Sequence, residues 1–320
     1  MAFAGLLLFV TAPAGAVGFQ WDVAPDPDDQ PIQVAIWYPS DAPAKSMRLG
    51  ANRQTVADGG AVSGTALALV VLSHGTGGWA GGTHDTALAL AEAGFVVASL
   101  THTGDNHKDK AYAFTQRTFT DRPRHVSRTI DHMLGGWSGR ASIDPARIGV
   151  FGYSAGGYTA LVVAGGKADL GRMAAFCRSW PDDWGCQRGA EKQAAGTPPM
   201  DAVVQGRDAR IRAAVLAAPA LGTAFAPSGL AEVTLPVQLW RGARDQIVTD
   251  ADLVRQGLPN APEDHLVPNA DHFAFLPPCS RLLAVSAPEI CQDPEGFDRS
   301  AFHAEFNRAV VGFFGRHLGK

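Results

Sequence analysis

The amino-acid sequence predicts an α/β fold with a mostly parallel central sheet and helices on both faces. Three observations carry this. The continuous apolar run Leu67–Ser73 and the apolar-rich segments Phe95–Leu100, Arg147–Tyr153, Ile211–Ala217 and Val237–Arg241 read as buried strands. Segments with helical periodicity fall between several of them, an alternation that builds crossovers and hence parallel pairing. The 36 glycines among 320 residues suit many tight strand-to-helix turns. With 46% apolar residues the chain can bury a large core, and residues 17–320 are expected to form one domain.

In chain order, the apolar stretch Phe3–Val10 is too short to span a bilayer but matches the core of a signal peptide. Ala14-Gly15-Ala16 offers a small-residue cleavage site, although no Lys or Arg precedes the apolar stretch. Residues 1–16 are therefore expected to be a signal peptide, and the mature protein to be secreted or periplasmic. Phe19–Val23 and Ile32–Tyr38 read as strands. Thr83–Ala93 reads as a helix capped by Thr83 and stopped by Gly94. A second helix is expected over Asp121–Leu134, where Val126, Ile130, Met133 and Leu134 share a face, and a third over Ala155–Ala164. His265–Val267 suggests a late strand, and Phe302, Phe306, Val310 and Phe313 form the buried stripe of a terminal helix. One stretch breaks the rhythm. Residues 165–210 show no clear strand yet hold Phe176, Trp180, Trp184 and two cysteines, so a small cysteine-containing insertion or lid is expected there.

The four cysteines fall into two close pairs, Cys177 with Cys186 and Cys279 with Cys291. Four cysteines allow three connectivities, and sequence does not choose between them; local pairing is the simplest because each loop is short. Neither spacing is that of a zinc site, and no metal ligand set is expected. Two disulfides agree with export to an oxidising compartment. The balanced charge, 27 Lys and Arg against 31 Asp and Glu, gives no electrostatic case for nucleic acid or an acidic membrane surface. Nothing in the sequence bears on oligomeric state.

The strongest chemical signal is Gly152-Tyr153-Ser154-Ala155-Gly156. A Gly-x-Ser-x-Gly pattern arises by chance in about one chain in five of this composition, so context decides its meaning. It directly follows the apolar strand Ile148-Gly149-Val150-Phe151 and precedes an Ala-rich helical stretch. In a strand-turn-helix elbow the flanking glycines let the backbone fold tightly and project the serine. A serine hydroxyl needs a neighbouring base before it can act as a nucleophile. Of the ten histidines, His272 is best placed, in the loop Asn269-Ala270-Asp271-His272-Phe273 after a strand. His265, His303 and His317 read as structural or surface groups. The acid is expected just past an earlier strand, and Asp245 in Leu239-Trp240-Arg241-Gly242-Ala243-Arg244-Asp245 satisfies the order Ser, acid, His. Asp271 and Glu263 are its rivals; Asp271 adjoins His272 and points away from it, and Glu263 has no turn to present it.

Acyl transfer also needs two backbone N–H groups for the developing oxyanion. Ala155, after the serine, supplies one; Thr76 in Ser73-His74-Gly75-Thr76-Gly77-Gly78 is the candidate for the other, with His74 structural. The same loop fits a dinucleotide fingerprint over Gly75–Ala80. That reading needs an acidic residue at the end of the next strand, where Ser99-Leu100-Thr101-His102 offers none. No cofactor is therefore expected. Trp79, Tyr153 and Phe273 are candidates to line an apolar pocket.

VVLSHGTGG, GFVVASLTHTGDN, GYSAGG, GARDQIV and NADHF, together with AIWYPSD at Ala35–Asp41, resemble the dienelactone hydrolase-like branch of the α/β-hydrolases. They are especially similar to bacterial relatives of platelet-activating-factor acetylhydrolase. The resemblance runs from about residue 18 to the end. It implies an α/β-hydrolase fold and Ca²⁺-independent hydrolysis of short-chain carboxylic esters by Ser154, Asp245 and His272, with Thr76 and Ala155 as oxyanion donors. The dienelactone enzymes themselves use a Cys nucleophile, and the segment around Cys177–Cys186 has no counterpart in the family pattern, so the natural ester does not transfer. A serine peptidase or amidase on the same fold is the alternative; a non-catalytic binding protein fits less well because all three triad positions are filled.

Overall fold

The computed structural model describes residues 15–319. Its elements in chain order are β1 (Ala16–Ala24), β2 (Ile32–Ser40), β3 (Lys45–Leu49), β4 (Asn52–Asp58), β5 (Leu67–Ser73), α1 (His84–Glu92), β6 (Val96–Thr101), α2 (Gln116–Gly135), β7 (Ile143–Tyr153) and α3 (Ala155–Val163). There follow β8 (Ala168–Asp169), α4 (Leu170–Ser179), α5 (Trp184–Ala194), β9 (Val203–Val204), β10 (Ile211–Ala217), α6 (Pro227–Leu230), β11 (Val237–Gly242), α7 (Ala251–Gly257), β12 (Glu263–Val267), α8 (Arg281–Ser286) and α9 (Arg299–Leu318).

Ten strands form one sheet in the order β12-β11-β10-β7-β5-β6-β2-β1-β4-β3. The six strands from β12 to β6 run parallel, and β2 pairs antiparallel with both β6 and β1. The apolar strand runs split by side-chain parity. In β5, Leu69 and Val71 enter the core under α2 and α3, with Val126, Ile130 and Leu161. Ala68, Val70 and Leu72 enter the opposite core under α1 and α9, with Leu90, Phe306 and Val310. Both faces are thus covered, as a parallel sheet requires.

This topology places the site. From β5 the chain crosses through α1 to β6 on one side, then returns through α2 to β7 on the other. The carboxyl ends of β5 and β7 therefore adjoin, in register at Ser73 opposite Gly152, while their following loops diverge. Such a switch point leaves a crevice where ligands bind.

Several elements differ from expectation. The signal-peptide expectation falls mostly on residues 1–14, outside the described residues; Ala16, in the expected cleavage site, pairs with Ser40. Thr83 sits at the N-cap of α1 but its side chain makes no capping bond. Helix α2 begins at Gln116 rather than Asp121, running through Pro123. Proline there lacks the N–H that would bond Phe119; the Phe119 carbonyl instead accepts the Tyr158 hydroxyl at 3.3 Å. Residues 165–210 hold two helices, α4 and α5, capped by Asp169 and Asp183. A two-residue ladder, β8 with β9, closes the base of this excursion. The β3–β4 hairpin extends the sheet edge.

Both local cysteine pairs are bonded, Cys177 with Cys186 and Cys279 with Cys291. Among the described residues no helix is long and apolar enough to cross a membrane.

Candidate active site

Ser154 occupies the turn between β7 and α3 with φ 55° and ψ −119°, a conformation unusual for a residue with a side chain. Glycine on either side makes this turn possible. A Cβ on Gly152 would lie 2.0 Å from the Gly156 carbonyl oxygen, and one on Gly156 would lie 1.9 Å from the Ser73 carbonyl oxygen. The backbone is then fixed by the Ser154 N–H donating to Ala217 O at 2.9 Å and by Ser154 O accepting from Gly157 and Tyr158.

His272 Nε2 lies 3.0 Å from Ser154 Oγ, and His272 Nδ1 lies 2.8 Å from Asp245 Oδ2. A carboxylate only accepts, so Nδ1 carries the proton and Nε2 presents its lone pair to the serine hydroxyl. Asp245 follows β11 directly; its Oδ1 accepts from the backbone N–H of Ile247 at 2.9 Å and Val248 at 2.8 Å. The turn carrying Asp245 is tied to the His272 loop by Arg244 N–H donating to Ala270 O at 2.9 Å. Both side chains are almost wholly buried, 4% and 5% exposed. Asp271 is used elsewhere: it caps the short turn at His272–Phe275 by accepting from Ala274 N–H. Glu263 accepts from Gln238, His265 and Arg316, away from His272.

The loop after β5 reaches the serine. A Cβ on Gly75 would lie 3.1 Å from Ser154 Cβ. On this loop Gly77 N–H donates to Asp105 Oδ1 and Gly78 N–H to Gly75 O. Thr76 lines the same cavity as Ser154 and Ala155, whose amide lies at the N-terminus of α3. His74 is structural: Nε2 accepts from His102 N–H at 3.0 Å, so Nδ1–H donates to Gly75 O at 2.6 Å. Behind it, His102 meets Ser73 Oγ at 2.8 Å and His125 Nδ1 at 3.1 Å.

Burial, with the positive charge of Arg122 second, pushes His74 down to about 3. Burial, reinforced by Arg122, holds His102 well below the ordinary imidazole range. His125 is pushed down to about 4, by burial first and Arg124 second. These rings are neutral in the folded protein at neutral pH. An unfolded chain would take up their protons once the pH falls below about 6.5, so stability present above that value is lost as pH falls toward about 4. Each such proton contributes a slope of up to about 1.4 kcal/mol per pH unit. A melting temperature that declines steadily from about pH 7 to about pH 4.5 is expected; a flat profile would contradict the buried neutral histidines.

The serine and His272 open into a cavity of about 1190 Å³. Trp79 and Phe273 line it, as do Phe114, Met173 and Phe176. Tyr153 lines it too, but its hydroxyl donates to His272 O at 3.1 Å, which makes it a support of the histidine loop. Two stapled segments wall the cavity. One carries Cys177, Trp184 and Cys186; the other, between the His272 turn and α9, carries Cys279, Leu283 and Ile290. The second wall was not foreseen from sequence. His303 was read as structural, but its contact with the site was not foreseen: Nδ1 meets Asp85 Oδ2 at 2.6 Å and Nε2 meets Ala274 O at 2.9 Å, bracing the His272 turn from α9. Among the described residues no three His, Cys, Asp or Glu side chains are grouped to hold a metal ion.

Residues 60–216 match the model of the dienelactone hydrolase family. The match spans the loop after β5 and the Ser154 elbow; Asp245 and His272 lie beyond it. A ferulic acid esterase from Streptomyces cinnamoneus is similar in structure with a TM-score of 0.64 at 17% identity, over 96% of this chain and 91% of that one. Dienelactone hydrolase from Anabaena variabilis has a TM-score of 0.54 at 14% identity, over 94% of this chain and 98% of that one. At these identities the two likenesses show the fold. No curated protein matches the chain in sequence. The family-model match over residues 60–216, together with the shared fold, supports a place for the chain among the dienelactone hydrolase-like α/β-hydrolases.

Proposed function

We propose that the protein hydrolyses carboxylic esters, with Ser154 as nucleophile. The observation that carries this reading is the unbroken hydrogen-bond relay from Asp245 through His272 to Ser154 Oγ at the floor of an apolar cavity. His272 Nε2 takes the Ser154 proton as Oγ adds to the ester carbonyl carbon. The Thr76 and Ala155 amides receive the oxyanion. On collapse, the bond to the alcohol oxygen breaks and His272 returns its proton to that oxygen, leaving an acyl-enzyme. Water, deprotonated by the same nitrogen, releases the acid and restores Ser154. Asp245 holds the tautomer and stabilises the imidazolium throughout.

The cavity exceeds what an acetyl or butyryl group fills, since sites of about 300–1,000 Å³ hold drug-sized ligands. We take the substrate to be a small-molecule ester with at least one sizeable apolar half, and residues 165–210 to be an insertion that walls that half. The test is a panel of p-nitrophenyl esters from acetate to octanoate beside aminoacyl p-nitroanilides. Turnover of the esters is expected, persisting to octanoate because the apolar walls accept the longer chain. Cleavage of the anilides with the esters untouched would replace this reading by that of a peptidase or amidase.

A further inference from the structure

Two opposite charges lie beneath the loop after β5 and take no part in the relay. Asp105, following β6, and Arg122, on α2, are each only 1% exposed. Arg122 Nε and Nη2 both donate to Asp105 Oδ2, at 3.0 and 2.7 Å. The remaining atoms reach the loop. Arg122 Nη1 donates to the His74 carbonyl at 2.8 Å, and Asp105 Oδ1 accepts the Gly77 N–H at 3.0 Å. The pair thus grips the backbone at residues 74 and 77, on both sides of the Gly75-Thr76 step.

Stability is a weak reason to keep such a pair. Burying two charges removes their hydration, and a well-packed apolar replacement often folds as well or better. Geometry is a stronger one, because oxyanion donors act through short, aimed contacts whose value falls quickly with displacement. A salt bridge whose leftover donor and acceptor both hold backbone of one loop fixes the direction of the amide between them. We propose that Asp105 and Arg122 are positioning residues that aim the Thr76 amide at the reacting carbonyl oxygen. This rests on the reading of Thr76 as an oxyanion donor.

The experiment compares the parent with the charge-free double variant Asp105→Leu/Arg122→Met, in which neither charge is left buried alone. Its melting temperature is expected to stay close to the parent value, while kcat on p-nitrophenyl butyrate falls about 10–100-fold with KM little changed. Affinity for an alkyl boronic acid, whose tetrahedral adduct on Ser154 places an oxygen at the oxyanion position, is expected to fall by a similar factor. Binding of the unreactive ether analogue of the substrate should not change. A folded double variant with parental kcat and boronate affinity would overturn the proposal. Should the double variant not fold, Arg122→Lys serves instead. It keeps the charge but cannot hold Asp105 and the His74 carbonyl together, so kcat and boronate affinity should fall in parallel, and parental values would again overturn the proposal. Failure of the esterase reading is separate: the parent itself would then neither turn over esters nor bind the boronate.

Discussion

Replacing Ser154 with alanine is expected to lower kcat for ester hydrolysis by about a million-fold while leaving the fold intact. Among the described residues the serine side chain bonds only His272, at 3.0 Å. Everything else at this position is backbone: the N–H donates to Ala217 O and the carbonyl accepts from Gly157, Tyr158 and Ala220. Alanine keeps these bonds and keeps the Cβ that packs against Gly75. Melting temperature and far-ultraviolet circular dichroism should therefore match the parent, and any remaining hydrolysis should come from the oxyanion loop and binding alone. Comparable turnover by parent and variant would remove Ser154 from the mechanism.

The second large effect is expected for Asp245→Asn, about ten-thousand-fold in kcat. The direction follows from which oxygen does what. Oδ1 accepts two backbone N–H groups, from Ile247 and Val248, so an asparagine must place its carbonyl oxygen there and its amino group toward His272. An amino group facing Nδ1 can only donate. The imidazole then carries its proton on Nε2, where it can no longer accept the Ser154 proton. Asp271→Asn is the matched control. Asp271 caps the Ala274 N–H, a role asparagine fills equally well, so kcat should change little. If Asp271→Asn instead carried the large loss, the acid would be misassigned.

Much of this was legible in the sequence for a plain physical reason. A parallel strand covered on both faces is apolar at most positions, and β5, β6, β7, β10 and β11 announce themselves that way. The elbow is legible because Gly152 and Gly156 face carbonyl oxygens that no Cβ could approach. Asp245 and His272 followed from chain order and from the strands before them, and the structure brings them together with Ser154.

What was not legible depends on contacts remote in sequence or on weak local patterns. The β3–β4 hairpin is polar and sits at the sheet edge, so it carries no apolar run. Helices α4 and α5 bury few residues each, and only their capping residues Asp169 and Asp183 signalled them. The start of α2 was hidden by Pro123, whose cost is offset by the Tyr158 hydroxyl, 39 residues from the Phe119 carbonyl that it meets. Nothing in the sequence joined Asp105 to Arg122, because 17 residues of chain separate a pair that only the fold buries. Tyr153 illustrates the same limit: its place in the elbow motif marks it as pocket, whereas its hydroxyl holds the carbonyl of His272.

In the proposed mechanism Ser154, activated by His272, is the nucleophile. A fluorophosphonate tests it most directly, because Oγ attack on phosphorus expels fluoride and leaves a stable covalent mark while the proton passes to His272. Digestion and mass spectrometry of the labelled protein should show one adduct per chain, on Ser154, formed at a rate that collapses in His272→Ala. A label on another residue, or ester turnover that proceeds undiminished in a protein that takes no label, would place the nucleophile elsewhere.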